Sequence, residues 1–268
     1  MKVLLLGDTH GHAPALREAC QVALDTGMDA IFQLGDYGYW PAAGWERQDF
    51  LKTAQRVGDQ IPLYWLPGNH EDWTAYLTLC EEGEKDSDGF IIDGTVRVAP
   101  PTHSWVWENT RLGSLGGAYS VDRGVRTLGV DWFEEEVPEY EQVDELPDKL
   151  DVLLTHEAPL NLARAMGWRP WPYKIDEELS NQSQNVIWVA MTKTRPEFLV
   201  HGHWHNQIVY PCDGTTVFGL NMSSGVATHL ASCILDLEAK RVYTWNEYLY
   251  KEDEDGEADD HEGPSGQR

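Results

Sequence analysis

The sequence predicts a mixed α/β fold with two β-sheets, on three observations. Short apolar runs alternate with stretches of helical spacing through the first part of the chain. Brief β-prone stretches with turn residues between them then crowd Gly89 to Gly117. Buried-type strands return from Asp151 onward, with a helical stretch between two of them.

In order, Val3 to Leu6 is a continuous apolar run stopped by Gly7, the pattern of a strand buried on both faces. Ala13 to Thr26 carries Leu16, Ala19, Cys20, Ala23 and Leu24 at helical spacing. Ala30 to Leu34 is a second strand ending at Gly35, Trp45 to Val57 a second helix, and Pro62 to Leu66 a third strand ending at Pro67 and Gly68. Alternation of this kind implies a largely parallel sheet. Phe90 to Ile92, Ser104 to Trp107 and Arg111 to Leu115 are short antiparallel-type strands of a second, mixed sheet. Asp151 to Leu154 and Glu197 to Val200 are buried strands around a helix over Asn185 to Thr194, and the β-rich runs of Ile208 to Tyr248 are expected to close the second sheet.

Composition narrows the function. The 268 residues are 41% hydrophobic and 24% charged, as expected of one folded domain over 1–250. With 45 acidic against 20 basic residues the net charge is −25, which repels polyanions, so neither polymeric nucleic acid nor an anionic membrane is an expected partner. Residues 251–268 are acidic and lack large apolar side chains, and are expected to be a disordered tail. Cys20, Cys80, Cys212 and Cys233 form no CxxC pair, which argues against a zinc ribbon or a disulfide framework. No apolar run has the length of a signal core or a membrane span, so a cytoplasmic location is expected by default.

Each of five apolar strands is followed by polar residues: Asp8 and His10, Asp36, Asn69 and His70, His156, and finally His203 and His205. Strand carboxyl ends form one edge of an α/β sheet, so these side chains should converge. Carboxylates, imidazoles and an amide suit manganese, iron, zinc, cobalt or nickel. Seven candidate ligands are too many for one tetrahedral ion and suit two divalent ions, with Asp36, in a tight Gly-Asp turn, as the natural bridge.

The strings GDTHGH (7–12), GD (35–36), GNHE (68–71), TH (155–156) and GHWH (202–205) resemble, in order and spacing, the signature of calcineurin-like metallophosphoesterases. That resemblance implies a four-layer αββα sandwich, two central mixed sheets flanked by helices. It implies one ion on Asp8, His10 and His205, another on Asn69, His156 and His203, and Asp36 between them. His70 would face the substrate as the catalytic residue, stabilising phosphoryl oxygens or protonating the leaving group. Two divalent ions, manganese by preference, would activate a bridging water to attack phosphorus. A homodimer is compatible with the resemblance.

The second motif departs from the GDxxDRG of protein phosphatases and dinucleotide polyphosphate hydrolases, for Tyr39 and Trp40 stand where that Asp and Arg would be. Both branches are therefore disfavoured, and the orientation of His70 must come from elsewhere. Tyr39 and Trp40, with Tyr37, Trp45 and Trp65, could stack on a nucleobase. LGGAYS (115–120) with Arg123 and Arg126 resembles a stretch of bacterial and phage-type members, where an arginine could bind phosphate, and His12 could also reach substrate. The acidic run Glu134 to Glu136 reads as a solvated helix start. The expected activity is a phosphodiesterase acting on a small phosphorylated substrate, a nucleotide, with cyclic nucleotides included. Phosphomonoesterase activity and an inactive metal-binding scaffold are the alternatives, and a DNA nuclease is disfavoured for want of a basic groove.

Overall fold

A computed structural model describes residues 1–167 and 174–251. The expected disordered tail falls almost wholly outside the described residues; Lys251, its first residue, places Nζ 3.2 Å from Asp236 Oδ2.

The chain runs as β1 (Lys2–Leu6), α1 (Ala13–Asp25), β2 (Ala30–Leu34), α2 (Trp45–Gly58), β3 (Leu63–Leu66) and α3 (Trp73–Glu82). It continues through β4 (Ile91–Asp93), β5 (Val96–Val98), β6 (Thr102–Trp107), β7 (Thr110–Leu115), α4 (Tyr140–Glu145), β8 (Val152–Thr155), α5 (Leu160–Met166) and α6 (Lys174–Thr194). It ends with β9 (Phe198–His201), β10 (Ile208–Cys212), β11 (Thr215–Gly219), β12 (Ser232–Asp236) and β13 (Arg241–Tyr243). No helix of the described residues is long and apolar enough to cross a membrane.

One sheet has seven strands in the order β13-β12-β1-β2-β3-β5-β4, the other six in the order β10-β11-β9-β8-β7-β6. In the first, β1, β2 and β3 are parallel; in the second, β7, β8, β9 and β11 are. Side chains alternate across each strand. Leu4 and Leu6 therefore pack with α1, α2 and Trp65, whereas Val3 and Leu5 enter the core shared with the second sheet. On that sheet's far side, Leu153 and Leu199 pack with α4, α5 and α6. The layers are thus helix, sheet, sheet, helix, the sandwich the family resemblance implied. Cross-sheet packing is aromatic: Phe32 of β2 stacks on Trp105 of β6 with centroids 5.6 Å apart.

Strand positions agree with the sequence pattern, but sheet membership differs in two places. β4 and β5 extend the first sheet, β5 lying parallel to β3. β12 and β13 also join the first sheet rather than closing the second, because β12 pairs antiparallel with β1. The β-rich reading of Ile208 to Tyr248 also fails at its last four residues, for 245–251 are helical.

Phe32 is fully buried and also stacks on Tyr64 at 5.9 Å. Phe32→Ala should cost about 3–5 kcal/mol, the range for removing a core aromatic, read as a lower urea midpoint at unchanged slope.

Candidate metal centre

The parallel strands bring their carboxyl ends together where the two sheets meet. Asp8 and His10 follow β1, Asp36 follows β2, Asn69 and His70 follow β3, His156 follows β8, and His203 and His205 follow β9. Four of these, His10, Asp36, His203 and His205, take left-handed φ values of 47°, 49°, 63° and 49°. Such conformations cost about 1–3 kcal/mol each for non-glycine residues and persist only where the surroundings fix them.

The surroundings do so through backbone hydrogen bonds. The Asp36 carbonyl accepts from His10 N–H (2.7 Å) and Thr9 N–H (3.2 Å), joining the loops after β1 and β2. His203 N–H donates to the Asp8 carboxylate at 3.1 Å, and His70 N–H to Asp36 Oδ1 at 2.8 Å. Gly35 has φ +89°, and a Cβ there would lie 2.2 Å from His156 Nδ1, so the strand end and the imidazole can meet only at glycine.

The donor atoms fall into two groups sharing one carboxylate. Asp8, His10, Asp36 and His205 each offer a ligand atom within 4.8 Å of the others, and Asp36, His156 and His203 form a second such group. In the first, His205 Nε2 lies 2.8 Å from Asp8 Oδ2 and His10 Nε2 3.8 Å from Asp36 Oδ2. In the second, His156 Nε2 lies 3.3 Å from Asp36 Oδ1 and 3.1 Å from Asn69 Oδ1. Asp36 thus turns one oxygen to each group. His156 Nδ1 donates to the Leu34 carbonyl at 2.8 Å, which leaves Nε2 facing the cluster, the arrangement that orients a ligating histidine. These nitrogen and oxygen donors fit divalent first-row ions.

Charges in the cluster are coupled. Burial works against the Asp36 carboxylate, yet the rings of His70 and His156 hold it well below the usual range. Burial lowers His156 too, but Asp36 and Asp8 outweigh that and lift it to about 10. Burial pushes His203 well down.

The sequence model of the calcineurin-like phosphoesterase family matches residues 1–207 of this chain. The chain belongs to that family. No curated protein matches it. Among solved structures, TT1561 of Thermus thermophilus is similar in fold at 17% identity, with a TM-score of 0.55 over 90% of this chain and 96% of that one. An archaeal phosphodiesterase matches at 14% identity over 90% and 97% with a TM-score of 0.41, and the phosphoesterase Yfce of E. coli at 13% over 90% and 96% with 0.42. The chain therefore shares its architecture with TT1561, a protein to which its sequence is only distantly related, and its site must be read from its own residues.

Two residues organise the phosphoesterase site without having been singled out in the sequence. Glu71, the last letter of GNHE, is fully buried. Its Oε1 accepts from Tyr37 N–H (2.8 Å) and Gly68 N–H (3.2 Å), and its Oε2 from Gly38 N–H (2.9 Å) and Tyr39 N–H (3.0 Å). Burial and the Asp36 charge raise its pKa, and the N–H groups oppose that rise. Glu157, beside His156, is also fully buried and raised by burial to about 7, with Ser183 Oγ 3.3 Å away. Their signal was an acid next to each motif histidine, which reads equally well as a solvated charge.

His70 is oriented by Arg126. The guanidinium Nη2 lies against both ring nitrogens of His70, 2.7 Å from Nδ1 and 2.5 Å from Nε2, and Asp122 Oδ2 accepts from Arg126 Nη2 at 2.7 Å and Nε at 2.9 Å. Burial and Arg126 lower the His70 pKa while Asp36 raises it. The Trp40 indole N–H donates to the His70 carbonyl at 2.8 Å, so Trp40 steadies the backbone there.

The other residues expected to contact substrate lie in varied surroundings. Tyr39 is 8% exposed, its ring 5.5 Å from that of Trp65 in the helix-side core, and burial lifts its hydroxyl to about 12. Tyr37 stacks on Trp65 at 4.7 Å, so neither ring is a nucleobase platform. Arg123 is engaged elsewhere, with Nε 3.7 Å from Asp176 and its guanidinium over the Tyr119 and Trp132 rings. His12 is exposed and caps α1, its Nδ1 accepting from Ala15 N–H at 3.3 Å. Glu134 and Glu135 are exposed, as a solvated run should be, but Glu136 is fully buried.

Glu71→Gln keeps the shape and turns an amide NH2 towards backbone donors. It should destabilise the metal-free protein by about 1.5–3 kcal/mol, the scale of one hydrogen bond to a charged group, read by chemical denaturation.

Proposed function

We propose that the chain hydrolyses small phosphodiesters, nucleotides in particular, at a dinuclear centre. Asp8, His10 and His205 would hold one ion, Asn69, His156 and His203 the other, and Asp36 would serve both. The observation that carries this reading is the division of the Asp36 oxygens between the two donor groups. Manganese is the preferred ion, with iron, zinc, cobalt and nickel as alternatives for the same donors. When bound, two such ions supply an acidified water as nucleophile and offset charge on the phosphoryl oxygens.

The protein's own residues do the rest. His70, with its side chain 36% exposed, stands at the open side of the cluster and can pass a proton to the leaving oxygen. Arg126, oriented by Asp122, supplies a guanidinium for a phosphoryl oxygen, the task of the Arg that the second motif lacks. Val125, Leu128 and Val130 beside it are 89%, 58% and 62% exposed, and Trp45, two residues from Arg47 whose guanidinium donates to the His10 carbonyl, is 78% exposed. Exposed apolar and aromatic groups close in sequence to Arg126 and Arg47 suit a substrate with an organic group on both sides of phosphorus, and this is the ground for preferring the diester over the monoester.

Metal-stripped protein given manganese should turn over a chromogenic phosphodiester faster than its monoester analogue. Asp36→Ala should reduce that turnover by roughly three orders of magnitude, the scale of losing a preorganised charge centre. Turnover of the monoester alone would sink the diester reading, and no turnover despite two bound ions would favour a metal-binding scaffold. Arg126→Ala should lower kcat/KM for the diester about 10²-fold with metal content unchanged, measured by steady-state kinetics beside elemental analysis.

A further inference from the structure

His10 takes φ 47° and its side chain is 23% exposed, so core packing alone does not fix its ring. Hydrogen bonds to its backbone do. Its N–H donates to the Asp36 carbonyl at 2.7 Å, and in the following peptide Gly11 N–H donates to the Tyr37 carbonyl at 2.9 Å. The His10 carbonyl, on the other side of that peptide, accepts from Arg47 Nη1 at 2.5 Å. Arg47 is half-buried in the first turn of α2, 37 residues along the chain. No carboxylate forms an ion pair with it among the described residues, so the carbonyl is the group that sets its place. Two glycines make room for it. A Cβ on Gly11, whose φ is +72°, would lie 2.1 Å from Arg47 Nη1 and 3.2 Å from its Cζ. A Cβ on Gly38, whose φ is +101°, would lie 2.4 Å from Gly11 N and 3.1 Å from the same Nη1. The loops after β1 and β2 and the start of α2 therefore meet at this guanidinium, and it lies where a side chain on Gly11 would have to go.

We propose that Arg47 is a positioning residue that holds the His10 imidazole in place for a metal ion, acting through the His10 carbonyl. This rests on the reading of His10 as a ligand. The peptides on either side of the His10 Cα are planar, so anchoring one at Asp36 and the other at Arg47 and Tyr37 sets φ and ψ between them, and with those the direction in which the ring leaves the backbone. A left-handed conformation is unfavourable for a residue with a side chain. With the Arg47 anchor gone, His10 can relax towards ordinary dihedral angles and carry its ring away from Asp8, Asp36 and His205. The charge of Arg47 works in the other direction. A guanidinium close to bound cations repels them, so an arginine acting by charge alone would weaken metal binding, and its removal would tighten it. Position and charge thus predict opposite signs for the same substitution.

The test is stepwise manganese titration of the metal-stripped full chain by calorimetry, beside thermal melting of the metal-free protein. His10→Ala first identifies which binding step belongs to the side of Asp8, His10 and His205; if it weakens neither step, the ligand reading itself fails. Arg47→Met keeps an unbranched stem and removes every donor. It is expected to weaken that step about 10- to 100-fold, the usual cost of losing an outer partner of a ligand, and to leave the other step unchanged. Binding at wild-type strength or tighter in Arg47→Met, with His10→Ala impaired, would overturn the proposal. So would equal weakening of both steps with a lower melting temperature of the metal-free protein, the mark of a structural role alone.

Discussion

The carboxylate of Glu71 is the interaction on which the site depends. It sits where water cannot reach, and four backbone N–H groups from two loops point at its two oxygens. Those N–H groups would otherwise be buried without acceptors, and the carboxylate would be a buried charge without donors, so neither side is stable alone. The loop after β2 must curl so that Tyr37, Gly38 and Tyr39 face one centre, and that curl leaves Asp36 in a left-handed conformation with one oxygen towards each donor group. Unfavourable backbone at the cluster is thus maintained by favourable hydrogen bonding one layer beneath it.

Much of this was legible in the sequence because parallel strands obey a simple rule. Ala30 to Leu34 is apolar throughout except Gln33 and stops at a glycine, and it is a strand over those same residues. Wherever such a strand stops, the next polar residue lies on one shared edge, and this alone gathers Asp8, Asp36, Asn69, His156 and His203. Sheet membership was not legible, since alternation says which residues face a core and not which core. The partner of β1 lies over two hundred residues away in β12, and nothing local in Ser232 to Asp236 announces it. Tyr39 misleads because an aromatic ring near a motif has the same local signature whether it lines a cleft or fills a core. Glu136 is hidden for the opposite reason. Its two acidic neighbours are exposed, and nothing in a run of three glutamates tells which one is buried.

The strong negative charge also has a local counterpart. The cluster holds Asp8 and Asp36 fully or nearly fully buried, with Glu71, Glu157 and Glu136 close behind them, in a protein whose net charge is −25. In the metal-free protein Arg126, with its side chain only 8% exposed, and the His156 ring, held up by Asp36 and Asp8, offset part of that charge. Divalent ions at the same place would relieve that repulsion, so metal affinity and the excess of carboxylates are two sides of one electrostatic balance.

The antiparallel pairing of β1 with β12 has a consequence for how the molecule comes into being. As the chain leaves the ribosome, β1 emerges early, but one of its two edges stays unpaired until residues 232–236 have been made. His203 and His205 lie nearly two hundred residues beyond Asp8, so the carboxylates of Asp8 and Asp36 must wait for these two imidazole neighbours while the chain between is made. Contacts so distant along the chain slow folding and leave a strand edge open to other chains meanwhile. The metal-binding architecture is consequently incomplete until His203 and His205 have been made, and a nascent chain carrying the first three motifs still lacks the imidazoles of both donor groups that come from β8 and β9.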